Sequence, residues 1–259
     1  MADIDLQTIL DVATEAAYVA GRRTLAYFDT GVPVETKADN TPVTRADREA
    51  EEIIRARIAR YFPGHSILGE EHGQVSGDPD YKWLIDPIDG TKAFIRGVPF
   101  YGTLIGVLVR GQPAVGVAYL PALDEMLAAA AGRGCRRNGR PVRVSTVARL
   151  EEAALMVTSV RDAMKRSDAY ERLAARTKLQ RTWGDCYGYV LVATGRAEIA
   201  IDPVMNPWDC GPFVTILQEA GGHFTNWTGE PTVWGPDAVA TNAALHEQVL
   251  DILRSEKRR

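Results

Sequence analysis

Trp83-Leu-Ile-Asp-Pro-Ile-Asp-Gly-Thr-Lys-Ala-Phe-Ile-Arg96 decides the reading of this chain, because an apolar strand runs straight into two acids, a proline and a glycine. Pro87 cannot donate to a strand ladder, so it is expected to end the strand and fix the chain direction. Asp86 and Asp89 can then turn toward one point, and the carbonyl of Ile88 is freed as a further oxygen of the kind that holds hard cations. Gly90 and Thr91 would open a helix or turn whose N–H groups face the same point, which is how an anionic phosphate is held beside a metal. Taken alone, Asp-Pro-Ile-Asp-Gly is equally a polar turn after a strand, since these are common turn residues.

Around this stretch, from Ser66 to Val144, the pattern is strand-like. Runs at 66–68, 82–85, 101–109, 114–119 and 125–130 are separated by Gly, Pro and Asp clusters, which predicts a mostly antiparallel sheet. Asn138-Gly139 predicts a tight hairpin tip. Upstream, Leu6, Ile9, Leu10, Ala13, Ala17, Ala20 and Leu25 recur at helical spacing over 6–28. A second helix is predicted from Thr44, which forms a capping-box-like pair with Asp47 ahead of Ala50, Ile53, Ile54 and Ile58. Beyond about 145 the order becomes strand (154–160), helix (169–178), helix (186–194), strand (197–201), helix (210–220), two strands and a last helix (243–255), an alternation that implies α/β layering. The expected organisation is an N-terminal α+β half over 1–145 with most of the acids, and a C-terminal α/β half over 146–259 that supplies Asp209.

The chain has 259 residues, 46% hydrophobic and 25% charged, which is the balance of an ordinary folded protein. A formal charge of −4 with scattered Lys and Arg gives no basic face for a nucleic-acid polymer. Three widely spaced cysteines with no CxxC pair suggest neither a disulfide framework nor a zinc knuckle. No run approaches the ~18 apolar residues of a membrane helix, so a soluble cytoplasmic protein with no membrane partner is expected.

Further acids stand at Gly69-Glu70-Glu71, which closes an earlier strand, and at Trp208-Asp209, which opens a predicted helix; Asp209 alone reads as an N-cap. Trp83 through Phe94 resembles the first signature of the inositol monophosphatase family: Trp, any residue, an aliphatic, Asp-Pro, an aliphatic, Asp-Gly, Ser or Thr, two residues and Phe. Trp208-Asp209 through Glu219-Ala-Gly-Gly222 resembles the second, and Lys37…Thr41-Pro-Val-Thr44-Arg-Ala-Asp47 and Gly69-Glu70-Glu71 fall in the family's order. The chain departs from the usual small pair after the second-signature Asp by having Gly211-Pro212. Proline in a first helical turn is tolerated, because that N–H has no partner within the helix.

The resemblance implies a layered αβαβα sandwich in which Glu70, Asp86, the Ile88 carbonyl, Asp89 and Asp209 ligate two or three magnesium ions. Zinc fits less well, since the four histidines lack HxxxH spacing and the three cysteines form no CxxC pair. It further implies direct attack of a metal-activated water on phosphorus, with Asp47, Glu70 and Thr91 catalytic and the Gly90 and Thr91 amides on the phosphate. Asp47 and Thr91 each have a plainer reading, as a first-turn acid and a helix cap. A homodimer and lithium inhibition are likewise implied by the family alone.

For the alcohol half of the substrate the resemblance points to the segment around Asp185 and the loop containing Asn206. An acid at Asp185 favours a cationic group, unless it merely caps the next helix. The run Arg181-Thr-Trp-Gly-Asp-Cys-Tyr-Gly-Tyr189 and Phe100-Tyr-Gly-Thr-Leu104 look most like the histidinol-phosphate phosphatase branch, which places the expected reaction in histidine biosynthesis. The alternatives are inositol 1-phosphate, adenosine 3′,5′-bisphosphate, or a metal-binding regulatory protein without turnover.

Overall fold

The computed structural model describes residues 5–255. Helix Leu6–Thr24 buries Ile9, Ala13, Ala16, Ala17 and Ala20 along one stripe. Helix Arg45–Tyr61 buries Ala50, Ile54 and Ile58. It starts where predicted: the Thr44 hydroxyl accepts the Ala46 N–H (3.1 Å), while the Asp47 carboxylate accepts the Thr44 N–H (2.8 Å). Both helices cover one face of an eight-stranded sheet, packing on Ile67, Trp83, Ile85, Ile105, Val107, Val115 and Val117.

That sheet runs, in spatial order, Arg140–Pro141, Cys135–Arg137, Glu125–Ala130, Gln112–Leu120, Gly102–Val109, Asp78–Asp89, His65–Gly69 and Gly73–Val75. All neighbours are antiparallel except His65–Gly69 and Asp78–Asp89, which are parallel. Asn138 (φ 46°) and Gly139 (φ 78°) form the predicted tip between Arg137 and Arg140. Pro87, however, does not end its strand. Asp86 pairs with Leu104 and Asp89 with Gly102, so Pro87 and Ile88 oppose Thr103 alone. This is a bulge, and the Thr103 hydroxyl donates to the Pro87 carbonyl (2.9 Å). A bulge removes the ladder bond that proline could not make and re-aims the acids on either side of it.

Helices Asp185–Ala193 and Phe213–Glu219 lie between this sheet and a second one, in a shared core with Leu84, Leu104, Met156, Tyr189, Phe213 and Phe224. The second sheet has the order Leu179–Arg181, Ala154–Val157, Ile199–Asp202, Ala238–Asn242 and Gly222–Thr225. Helices Val160–Arg166, Ala169–Ala174 and His246–Arg254 cover its outer face. The result is the expected αβαβα sandwich. The strands of one sheet come from 65–141 and those of the other from 154–242.

Several predicted elements are shorter or divided. The first helix ends at Thr24, not 28. The strand from 154 ends at Val157, because the Ser159 hydroxyl accepts the Asp162 N–H (3.2 Å) and starts a helix at Val160. The helix expected over 210–220 is split into Pro207–Cys210 and Phe213–Glu219, since Pro212 has no N–H to continue the ladder. Among the described residues no helix is long and apolar enough to cross a membrane.

Candidate active site

Asp86, Asp89 and Asp209 each bring a carboxylate oxygen within 4.8 Å of the others. The first two flank the bulge, and the third comes from the short helix Pro207–Cys210, which packs against Asp78–Asp89 and Gly102–Val109. Their orientations are fixed by backbone donors. Asp86 accepts the Ile88 N–H (3.0 Å), Asp89 accepts the N–H of Cys186, and Asp209 accepts the Asn206 N–H (2.8 Å). A pocket of about 130 Å³ opens over them, lined also by Glu70, Ile88, Gly90, Thr91, Lys92 and Asp185. Glu70 follows strand His65–Gly69, with its N–H on the Ile85 carbonyl (3.1 Å), and its side chain pairs with Lys37 (2.8 Å).

Gly90 (φ 83°) turns the chain from the strand into helix Thr91–Phe94. A side chain there would press on the Phe100 carbonyl at 3.1 Å and on Asp185 Oδ2 at 3.3 Å, besides forcing a strained φ. The Thr91 hydroxyl donates to the Ile88 carbonyl (3.0 Å) and stands 3.5 Å from Asp47 Oδ1. Asp47 is 1% exposed and lies one layer behind the pocket, with Oδ2 held by the Thr44 hydroxyl at 2.6 Å. Asn206 is exposed and does not line the pocket; its side-chain amide sits 3.2 Å from Asp209 Oδ2, so it supports that acid.

Burial dominates the electrostatics. It pushes Asp86 and Asp89 well above the usual carboxylate range, and the surrounding acids add to the rise: Glu70, Asp89 and Asp209 around Asp86, Asp185 and Asp209 around Asp89. Burial likewise raises Asp209 to about 6 against the opposing Asn206 N–H, and Asp185 to about 6 against the opposing charge of Lys92. Crowded, desolvated carboxylates are stabilised by a cation. The donor set is all carboxylate, with no imidazole or thiolate, and Ile88 lines the same pocket. These residues therefore fit a hard, oxygen-seeking divalent ion.

A second cavity of about 90 Å³ shares Asp89, Asp185 and Asp209 with the first and extends to Thr158, Tyr189, Asp202, Val204 and Met205. Asp202 is buried, accepts from the Tyr189 hydroxyl (2.7 Å) and the Thr158 N–H (3.0 Å), and is pushed up to about 7 by burial. Sequence reasoning passed over it. The available signal was Ile199-Ala-Ile-Asp-Pro203, an apolar strand running into Asp-Pro just as Trp83-Leu-Ile-Asp-Pro87 does. It also assigned no role to Lys37, which bridges Glu70 and Glu71 at 2.8 and 2.5 Å.

The model of the inositol monophosphatase family matches residues 5–258. The chain belongs to the inositol monophosphatase family. Among curated members, a histidinol-phosphatase of Chlorobaculum parvum is 40% identical over 253 residues, covering 96% of this chain and 98% of the relative. An inositol-1-monophosphatase of Synechocystis sp. is 35% identical over 257 residues, covering 96% and 90%. The solved inositol monophosphatase of Anabaena (Nostoc) sp. superposes with a TM-score of 0.86 at 33% identity, covering 98% of each chain. Membership of the inositol monophosphatase family makes the chain a phosphoric monoester hydrolase.

Proposed function

We propose that this enzyme is a magnesium-dependent histidinol-phosphatase, releasing histidinol and phosphate in histidine biosynthesis. Asp185 carries the substrate assignment: it lines both cavities, so it stands where the phosphate end of a substrate gives way to the organic end. Histidinol carries an amine and an imidazole. Asp185 and Asp202 are carboxylates whose ionised forms burial disfavours, and a cationic group between them relieves that cost. A neutral polyol would add no charge to what Lys92 gives Asp185 and the Tyr189 and Thr158 hydrogen bonds give Asp202.

Glu70, Asp86, Asp89, Asp209 and the Ile88 carbonyl would hold two or three magnesium ions, which supply Lewis-acid activation of water and neutralise the leaving alkoxide. The protein's own groups then have defined tasks. Gly90 and Thr91 present N–H groups that the helix leaves unused to the phosphate oxygens. Thr91 Oγ lies between the pocket and Asp47 Oδ1, so it can accept the water's proton as its own hydroxyl proton passes to Asp47. Burial raises Asp47, against the opposing hydrogen bonds from Thr44, which makes it a stronger base than an exposed Asp. Asp89, held by the Cys186 N–H, ties the metal end to the helix that carries Asp185.

The test is phosphate release from histidinol phosphate, inositol 1-phosphate and adenosine 3′,5′-bisphosphate, with wild type and Asp185→Asn. Preference for histidinol phosphate with a KM that rises at least about tenfold in the variant is expected, the equivalent of losing one desolvated charge pair. Preference for either other substrate, untouched by the variant, would reject the assignment. We extend the reading to a cytoplasmic homodimer: three buried, unpaired thiols suit a reducing compartment, and exposed Val98 and Trp183 offer apolar surface to a second copy.

A further inference from the structure

The smaller cavity has one wall with no regular secondary structure, the loop over 203–206, which contributes Val204 and Met205. This loop joins the end of strand Ile199–Asp202 to the helix that bears Asp209. Two contacts from outside the cavity hold it. The Met205 N–H donates to the Pro236 carbonyl (2.7 Å), and Arg166 Nη1 donates to the Pro203 carbonyl (3.2 Å).

Arg166 is itself fixed from three sides. Its Nη2 lies 2.5 Å from Asp237 Oδ2, and the other oxygen of that carboxylate accepts the Trp227 N–H at 2.6 Å. The guanidinium also sits 4.5 Å from the centre of the Trp227 ring. Asp237 and Trp227 are buried, at 4% and 3% exposure, so the platform is rigid. Arg166, the last residue of helix Val160–Arg166, thus couples the outer helical layer, the Asp237 carboxylate and the cavity wall in one side chain. A planar fork can serve a carbonyl, a carboxylate and an aromatic face together, whereas an ammonium on a flexible stem cannot hold all three in that geometry.

We propose that Arg166 is a positioning residue for substrate specificity, setting the place of the 203–206 wall and hence the width of the cavity that receives the organic group. This rests on reading that cavity as the organic-group pocket. Arg166 grips the 203–206 strap at Pro203. The far end, Asn206, donates its N–H to Asp209 and has an anchor of its own in helix Pro207–Cys210, the Cys210 N–H donating to the Asn206 carbonyl (3.1 Å); the metal end therefore keeps that anchor when Arg166 is replaced.

The experiment uses the full-length magnesium-loaded enzyme, with Arg166→Lys and Arg166→Ala compared with wild type on whichever member of the substrate panel wild type prefers. Four quantities are read: kcat, KM, inhibition by inorganic phosphate, and melting temperature. Phosphate alone probes the metal end without the organic pocket. The expected result is a KM raised about tenfold or more in both variants, with kcat within about threefold and phosphate inhibition within about twofold of wild type. Arg166→Lys, which keeps the charge opposite Asp237, is expected to recover the melting temperature and not the KM. A KM within twofold of wild type in Arg166→Lys would overturn the proposal, as would KM, kcat and phosphate inhibition moving together in that variant. Should Arg166→Ala fail to fold, the lysine variant decides alone. A wild-type preference for another substrate rejects the histidinol assignment while leaving the strap tested on that substrate.

Discussion

Three aspartates meet at one point because a bulge, a short helix and a neighbouring backbone amide each hold one of them. Asp86→Asn or Asp89→Asn is expected to reduce turnover by at least about three orders of magnitude, with the fold kept. Each variant also relieves repulsion among buried carboxylates. Without metal at pH 7 it should therefore melt no lower than wild type, while magnesium raises its melting temperature less; near-normal rates at saturating magnesium would contradict the account. Thr91→Val keeps the side chain's shape and removes its proton path to Asp47, so kcat is expected to fall about 10²- to 10⁴-fold with little change in phosphate inhibition. An unchanged kcat would remove Thr91 from proton transfer. At this scale the gathering of Glu70, Asp86, Asp89 and Asp209 around one pocket was legible because each acid follows an apolar strand run, flanks a proline or stands in a first helical turn. Asp202 was not, although it ends a strand in the same way. A single buried acid in a second sheet has no neighbour in the sequence to mark what it faces.

At the level of elements, the site depends on two close approaches of backbone to backbone. A Cβ at Gly106 would stand 2.3 Å from the Gly211 carbonyl carbon, and one at Gly116 would stand 2.1 Å from the Pro212 carbonyl oxygen. The sheet therefore carries glycine where the segment following Asp209 lies on it. Gly116→Ala must push that segment outward, and it is expected to destabilise the protein by about 1–3 kcal/mol, an overpacking cost, and to weaken magnesium dependence by displacing Asp209. Denaturant unfolding and a magnesium titration of activity check both; unchanged values would mean that the segment is not seated as described. Thr44→Ala loses the cap of the second helix, expected to cost about 0.5–2 kcal/mol, and frees Asp47 to rotate, so stability and kcat should fall together. The caps, the hairpin tip and the periodic helices were legible because local chemistry fixes them. The bulge at Pro87–Ile88 and the break at Gly211-Pro212 were not. A proline tells where a ladder bond is missing, while the partner strand or helix decides whether the element ends, bulges or resumes.

For the molecule as a whole, a net charge of −4 hides a dense acidic centre packed between its two sheets. Asp209 and Asp185 at about 6 and Asp202 at about 7 lie above the ordinary value of about 3.9 for an unfolded Asp. The folded state binds more protons than the unfolded one between those limits. These groups therefore favour folding fully below about pH 4, and that contribution is lost as pH rises through 6 to 7. His246, lowered to about 4 chiefly by burial, acts in the opposite sense, since its contribution is lost as pH falls from its unfolded value of about 6.5. The difference with and without magnesium isolates the carboxylates. The magnesium-induced rise in melting temperature is expected to be larger at pH 7.5 than at pH 5.5, where protons compete for the same oxygens; the reverse order would mean that the ion binds elsewhere. The α/β layering beyond 145 was legible from the alternation of elements and the full αβαβα order from the family resemblance, but the shared inner core was not, because burial on both sides of a helix carries no period of its own. Phosphate release from histidinol phosphate is best followed in chelator-stripped enzyme as magnesium is added back. No release without metal and saturable recovery with it are expected; release that survives stripping, or none at any magnesium concentration, would overturn the magnesium-dependent histidinol-phosphatase reading.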